Sequence, residues 1–296
     1  MEKQEKIAQA NMETRFRDNP CRGIVLGLNE HKRPVQIAWI MGRSENSKNR
    51  VYVVDDDPGR SGTVKTEAAD PSKVKDPRLI IYNAMRTSKS GAELIVSNGD
   101  QTDTVHDALA KGGGPGGAGA AAALFFSSLE TRYCEPDAPN FTPRITGLSG
   151  VKLDGDWGRV YISILKASPT AREKWLNAIA NGGVNKENFS DGDQYNQAIG
   201  KVCGLDCLRF PTIRQTFELP VVPGFGYCIT TYKPGSKTLD SFEGEPFSVP
   251  LKGGAEEIMN TFWAALEAQW KVSLAGKICE DGKIRVAKPI NAMKKI

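Results

Sequence analysis

Short apolar runs separated by turn residues dominate the first hundred positions. Gly23-Ile24-Val25-Leu26-Gly27-Leu28 reads as a short buried strand. The alternating Val35-Gln36-Ile37-Ala38-Trp39-Ile40 reads as its hairpin partner across Asn29 to Pro34. Val51 to Val54, Leu79 to Ala84 and Glu93 to Val96 predict three more strands. Ser97-Asn98-Gly99 is then a strong turn signal. Asp100, Gln101, Thr102, Asp103 and Thr104 crowd together before a helix-like stretch that starts at Val105. Such a cluster can cap a helix, because Asp and Thr oxygens satisfy orphan N–H groups. It can equally be a polar ligand site at a strand end. These residues alone leave both readings open.

The pattern changes after Lys111. A Gly-rich run to Gly117 lacks the Lys-Ser or Lys-Thr that closes a phosphate-binding loop, so it reads as a flexible connection. An Ala-rich helix over Ala118 to Tyr133 follows. Ile145 to Leu153 and Val160 to Leu165 predict a hairpin turning at Asp154-Gly155-Asp156. Residues 166–215 are polar and irregular, with a helix-like piece around Ala171 to Ala180. Strands return at Thr216 to Val221 and Gly226 to Tyr232. Ile258, Phe262, Ala265, Leu266 and Trp270 have helical spacing and predict a helix over residues 254–271. A hairpin around Asp281-Gly282 and a basic tail finish the chain. Many antiparallel strands with two or three helices imply an α+β layered domain. The organisation expected is a helical or mobile arm over residues 1–20, stopped by Asp18-Asn19-Pro20, and one domain over 21–296 with a polar insertion near 166–215.

Composition narrows the function. The 296 residues suffice for a sizeable core, and 40% hydrophobic with 25% charged residues is ordinary for a soluble globular protein. A net charge of +4 is too small to argue for nucleic acid. No apolar run is long enough to span a bilayer, and the polar start Met1 to Pro20 lacks secretory character. A cytoplasmic protein is expected. Cys21, Cys134, Cys203, Cys207, Cys228 and Cys279 then read as free thiols. Cys203 and Cys207 lack zinc-knuckle spacing and no partner pair follows, so no metal is expected. With only His31 and His106, acid–base work falls to Tyr, Lys, Glu or Asp.

Five stretches in order carry a resemblance. They are "GRSENSKNR" (Gly42–Arg50), "DPRLIIYNAMR" (Asp76–Arg86), "SNGDQTDT" (Ser97–Thr104), "EPDAPNFTPRI" (Glu135–Ile145) and, more weakly, "YCITTY" (Tyr227–Tyr232). Together they resemble the archaeal-type IMP cyclohydrolases, which close the purine ring in the last step of inosinate synthesis. The resemblance covers roughly residues 21–160 and 216–270. It implies a fold like that of the N-terminal-nucleophile hydrolases: a four-layer αββα sandwich of two antiparallel sheets flanked by helices. It implies a purine nucleotide as substrate and product, no cofactor or metal, no nucleic acid or membrane partner, and a homo-oligomer.

The resemblance also implies roles for residues. It places catalytic residues at Arg50, Tyr82 and Glu135. Around them it places substrate contacts at Arg43, Asn83, Asn98, Gly99, Gln101, Thr102, Asp103, Thr104 and Arg144, with Arg86 a further candidate cation. A helix start at Thr104 would set N–H donors beside an anion. Two alternatives stand beside this reading. One is an N-terminal-nucleophile amidohydrolase using Cys21; the other is a purine-nucleotide-binding protein without turnover.

Overall fold

A computed structural model describes residues 2–295 other than 56–61, 75–76, 78–79, 113–116, 151–157, 182–183, 190, 236–238 and 281–282. The turns expected at Asp154-Gly155-Asp156 and Asp281-Gly282, and most of the Gly-rich run, lie outside the described residues. The helices are α1 (Glu2–Arg15), α2 (Glu45–Lys48), α3 (Gln101–Lys111), α4 (Gly117–Leu129), α5 (Pro169–Ala180), α6 (Gly192–Cys203) and α7 (Ala255–Ala265).

The strands form two antiparallel sheets. One runs β11 (Phe247–Pro250), β10 (Phe225–Thr230), β1 (Arg22–Leu28), β2 (Pro34–Met41), β12 (Lys271–Glu280) and β13 (Lys283–Val286), with β14 (Ile290–Asn291) also on β12. The other follows chain order: β3 (Val51–Val54), β4 (Val64–Glu67), β5 (Asn83–Thr87), β6 (Glu93–Ser97), β7 (Arg144–Gly150), β8 (Arg159–Ala167) and β9 (Thr212–Pro220). The sheets stack face to face, with β1 across β7, β2 across β6 and β12 across β3. Gly147 permits the close approach, since a Cβ there would lie 2.5 Å from Leu26 Cδ1.

Helices cover the two outer faces. On one side α1 lies on β11 and α7 on β12. Phe16, just past α1, wedges against Trp39 at 5.0 Å and Phe262 at 5.8 Å between ring centroids. On the other side α3 and α4 pack on each other and against β7. The four layers expected from the resemblance are therefore present. Burial on both faces explains why β1 and β2 read as continuous apolar runs: every residue in both is buried. No helix among the described residues is long and apolar enough to cross a membrane.

Several boundaries differ from the sequence reading, among them α4, which ends at Leu129 rather than Tyr133, and β9, which starts at Thr212 rather than Thr216. The strand expected over Leu79 to Ala84 is displaced, and β5 starts at Asn83. Tyr82 lies just outside it, where its carbonyl accepts from Thr66 N at 2.9 Å beside an irregular β4–β5 register. The helix expected over residues 254–271 stops at Ala265, because Leu266 turns extended (ψ 137°) and Lys271 opens β12. Packing against β2 overrides the helical spacing of Leu266 and Trp270; the Trp270 carbonyl accepts from Gly42 N at 2.8 Å. Finally, α3 begins at Gln101, ahead of both Val105 and Thr104. Beyond these, β4, β11 and α6 were not anticipated. Within residues 166–215, α5 and α6 pack together around Trp175, Phe141 and Phe210.

Candidate functional site

One end of the sandwich collects the starts of β1, β3, β5 and β7 and the end of β6. The chain leaves β6 at Ser97 and turns straight into α3, so Asn98 and Gly99 sit at the strand ends. The Asn98 amide staples this corner. Its Nδ2 donates to Pro143 O at 2.9 Å, and its Oδ1 accepts from Ile145 N at 2.8 Å and Gln101 Nε2 at 3.3 Å. Glu135 is held in the loop before β7, where its N–H donates to Thr142 O at 2.9 Å. Thr142 N donates in turn to Asp137 Oδ1 at 2.6 Å. Phe141 anchors the loop by stacking on Phe210 at 3.6 Å.

Arg22, at the start of β1, points into this corner. Its Nη1 donates to Asn98 O at 3.0 Å and pairs with Glu135 Oε1. Arg22, Arg50, Tyr82 and Glu135 are each at most 6% exposed. They feel one another's charge, together with Cys21 and Tyr52. Burial alone would pull Arg22 down, but Glu135, Tyr82 and Cys21 reverse that and hold it well above the usual guanidinium range. Burial and the Arg22 charge pull Arg50 down. Burial pushes the Tyr82 phenol and the Cys21 thiol up, so both keep their protons at neutral pH.

Among the described residues, several buried polar atoms at this corner lack a hydrogen-bond partner: Arg50 Nε and Nη1, the Tyr82 hydroxyl, Glu135 Oε2 and Arg144 Nε. The Tyr52 phenol lies near Tyr82 and is pushed well up by burial and by that neighbour. An unpaired buried polar group costs about 1–3 kcal/mol. Donors on Arg50, Tyr82 and Arg144 and an acceptor on Glu135 thus form a set that a polar ligand would satisfy. Gly99 lets the turn close on Gln101, since a Cβ there would lie 2.5 Å from Gln101 Oε1.

A large cavity is adjacent to these atoms rather than around them. It measures about 940 Å³ and is lined by Asp100, Asp137 and Arg144 on one wall and by Asn196 and Lys201 of α6 on the other. Tyr82, Arg50 and Glu135 are not on its walls. The orphaned atoms mark the chemistry better than volume does, and Arg144 belongs both to that set and to the cavity wall.

The remaining anticipated residues fall into separate groups. Arg144 pairs with Asp100, which also holds Arg132. Gln101 Oε1 lies 3.4 Å from Arg144 Nη1. Burial and the Arg22 charge pull Arg144 down to about 10. Thr102 is buried and bonded to Ser97 Oγ, so it closes the turn. Asp103 accepts from Asn83 Nδ2 at 2.9 Å and Arg86 Nη1 at 2.7 Å, which ties α3 to β5. Thr104 lies half-buried within α3. Arg43 is exposed, with its guanidinium 6.0 Å from the Trp270 ring.

Sequence reasoning missed Arg22, Tyr52 and Asp137. Arg22 carried the clearest signal, a charge directly against an apolar strand. Among the described residues no three His, Cys, Asp or Glu side chains cluster to hold a metal ion.

Comparison with known proteins follows the same line. No curated protein matches the chain. Among solved structures, an N-acylethanolamine-hydrolyzing acid amidase ortholog from Caenorhabditis elegans aligns at 10% identity and a TM-score of 0.26, covering 77% of this chain and 100% of that one. Residues 20–283 match the family model described as IMP cyclohydrolase-like protein, which takes in every stretch that carried the resemblance and both sheets' stacked strands, and the chain belongs to that family.

Proposed function

We propose that the protein is an IMP cyclohydrolase, closing 5-formamidoimidazole-4-carboxamide ribotide to inosine 5′-monophosphate and water. The observation that carries this reading is the convergence of unpartnered polar atoms on Arg50, Tyr82 and Glu135 at one buried corner. Both reacting groups sit on one substrate ring, so proximity is largely built into the substrate. The protein must rotate the two arms inward and move protons. Tyr82, kept protonated by burial, donates a hydrogen bond to the formyl oxygen as charge develops there. Glu135, with Oε1 held by Arg22 and Oε2 free, takes a proton from the carboxamide nitrogen. The Arg50 fork holds the carboxamide or the 5′-phosphate. Arg144 and the turn from Asn98 to Thr104 border the ribose-phosphate end. The same reading expects a cytoplasmic homo-oligomer.

The deciding experiment incubates the purified protein with the formylated ribotide and follows inosinate, with no added metal or folate. Inosinate formation supports the reading. Tight inosinate binding with no ring closure overturns it in favour of a nucleotide-binding protein. Cys21 keeps the amidohydrolase alternative in view, because it shares the cluster and sits at φ +68°. An intact mass beginning at Cys21, with amide hydrolysis, would favour that alternative.

A further inference from the structure

Asp137 borders the 940 Å³ cavity and is tied to the buried cluster through a single residue, Thr142. Thr142 meets the Asp137 carboxyl with both its N–H (2.6 Å to Oδ1) and its hydroxyl (2.5 Å to Oδ2). The Thr142 carbonyl accepts from Glu135 N at 2.9 Å, and its hydroxyl lies 2.9 Å from Tyr232 OH. Thr142 thus holds the Asp137 carboxyl directly and the Glu135 backbone through its carbonyl, while Arg22 holds the Glu135 carboxyl.

The proposed ring closure moves two protons. The attacking carboxamide nitrogen and the formamido nitrogen that already carries the formyl carbon each lose one, and both end on the departing oxygen. A single base holds one proton at a time. Resting on the cyclohydrolase reading, we propose that Asp137 is the second proton carrier of the reaction, working opposite Glu135. In the first step the C–N bond forms; the carboxamide nitrogen gives its proton to Glu135, and the formyl oxygen takes one from the Asp137 carboxyl. In the second step the C–O bond breaks. The formamido nitrogen gives its proton to the Asp137 carboxylate, Glu135 returns its own to the leaving hydroxyl, and water departs. Both side chains end as they began.

The surroundings suit this task. Burial and the Glu135 charge push Asp137 up to about 7, so both of its protonation states are populated at neutral pH. The Arg22 charge and the Thr142 hydrogen bonds work the other way. Cys134, Cys207 and Tyr232 also face Asp137, but burial holds Cys134 up at about 12, Cys207 at about 11 and Tyr232 above its usual range. None of these three changes charge near neutrality. Asp100, Arg144, Asp193, Lys201 and Asp206 also line the cavity.

The test is the pH dependence of kcat at saturating formylated ribotide. In the wild type kcat falls as pH rises through about 7, because Asp137 must start protonated. Asp137→Asn should lower kcat about 10²–10⁴-fold with KM little changed, and should abolish that limb. Asp137→Glu should restore part of both. Thr142→Val removes a hydrogen bond that lowers the Asp137 pKa and keeps the carboxyl, so it should shift the limb to higher pH. Asp137→Asn with the limb intact, or Thr142→Val with the limb unmoved, overturns the role of Asp137. Wild-type protein that forms no inosinate at any pH overturns the cyclohydrolase reading itself, which separates the two failures.

Discussion

Arg22 and Glu135, 113 positions apart in the chain, meet as a buried ion pair whose side chains are 8% and 5% exposed. Arg22 uses the same Nη1 to hold the Asn98 carbonyl at 3.0 Å. The guanidinium therefore joins β1 of one sheet to the end of β6 and the entrance of β7 in the other. It also leaves one Glu135 oxygen, Oε2, without a partner.

Removing one member of such a pair leaves an uncompensated buried charge. Arg22→Met should destabilise the fold by about 3–5 kcal/mol. The double variant Arg22→Met with Glu135→Gln should recover much of that loss. Denaturant midpoints of the wild type, both single variants and the double variant check it; additive losses would mean that the pair is not coupled.

Tyr82→Phe should fold normally, because the hydroxyl it removes has no hydrogen-bond partner among the described residues. Thermal stability should stay level or rise slightly, while ring closure drops about 10²–10⁴-fold. Unchanged turnover would remove Tyr82 from the mechanism.

Glu135→Gln keeps the shape and a hydrogen-bonding group but cannot take a proton at neutral pH. Turnover should fall more than inosinate affinity does. Titration calorimetry with inosinate beside kcat measurements separates the two effects. A loss confined to binding would make Glu135 a positioning group.

For Arg50, both Ala and Lys should weaken nucleotide capture, Ala by roughly 1.5–3 kcal/mol. The comparison of inosinate with inosine assigns the contact. A loss only with inosinate places the phosphate on Arg50, and an equal loss with both places the base or ribose there. No loss with either rejects the residue as a ligand contact.

Lys277 provides a check on the fold that is independent of catalysis. Its Nζ is buried without a hydrogen-bond partner among the described residues, and burial together with Arg86 pulls it down to about 7. Between that value and the usual lysine range the unfolded chain binds the extra proton, so stability rises with pH across this window. Below about 7 the amine is charged in both states, and the folded protein carries the full burial penalty. Unfolding free energy should climb from pH 7 toward 10, with a slope of at most about 1.4 kcal/mol per pH unit. Lys277→Met should flatten the slope and stabilise the protein at pH 7.

Local pattern determined the elements that depend on burial along one short stretch. The apolar runs of β1 and β2 were legible because both faces are covered, and the Ser97-Asn98-Gly99 break was legible because backbone turns have their own residue chemistry. The motif stretches named Arg50, Tyr82 and Glu135, but nothing local said that the three would meet. Stacking of the two sheets decided that, together with the partners that residue type alone leaves open. Asp103 could have faced a ligand, and α3 instead carries it to Asn83 and Arg86. Arg43 lies over the Trp270 ring, a neighbour 227 positions away that no local pattern names. Leu266 and Trp270 kept helical spacing in a segment that β2 draws toward strand. The physical reason is the same in each case. Periodicity encodes how much of a residue is buried, whereas its partner depends on contacts such as Arg22 to Glu135 that form only when distant strands pack.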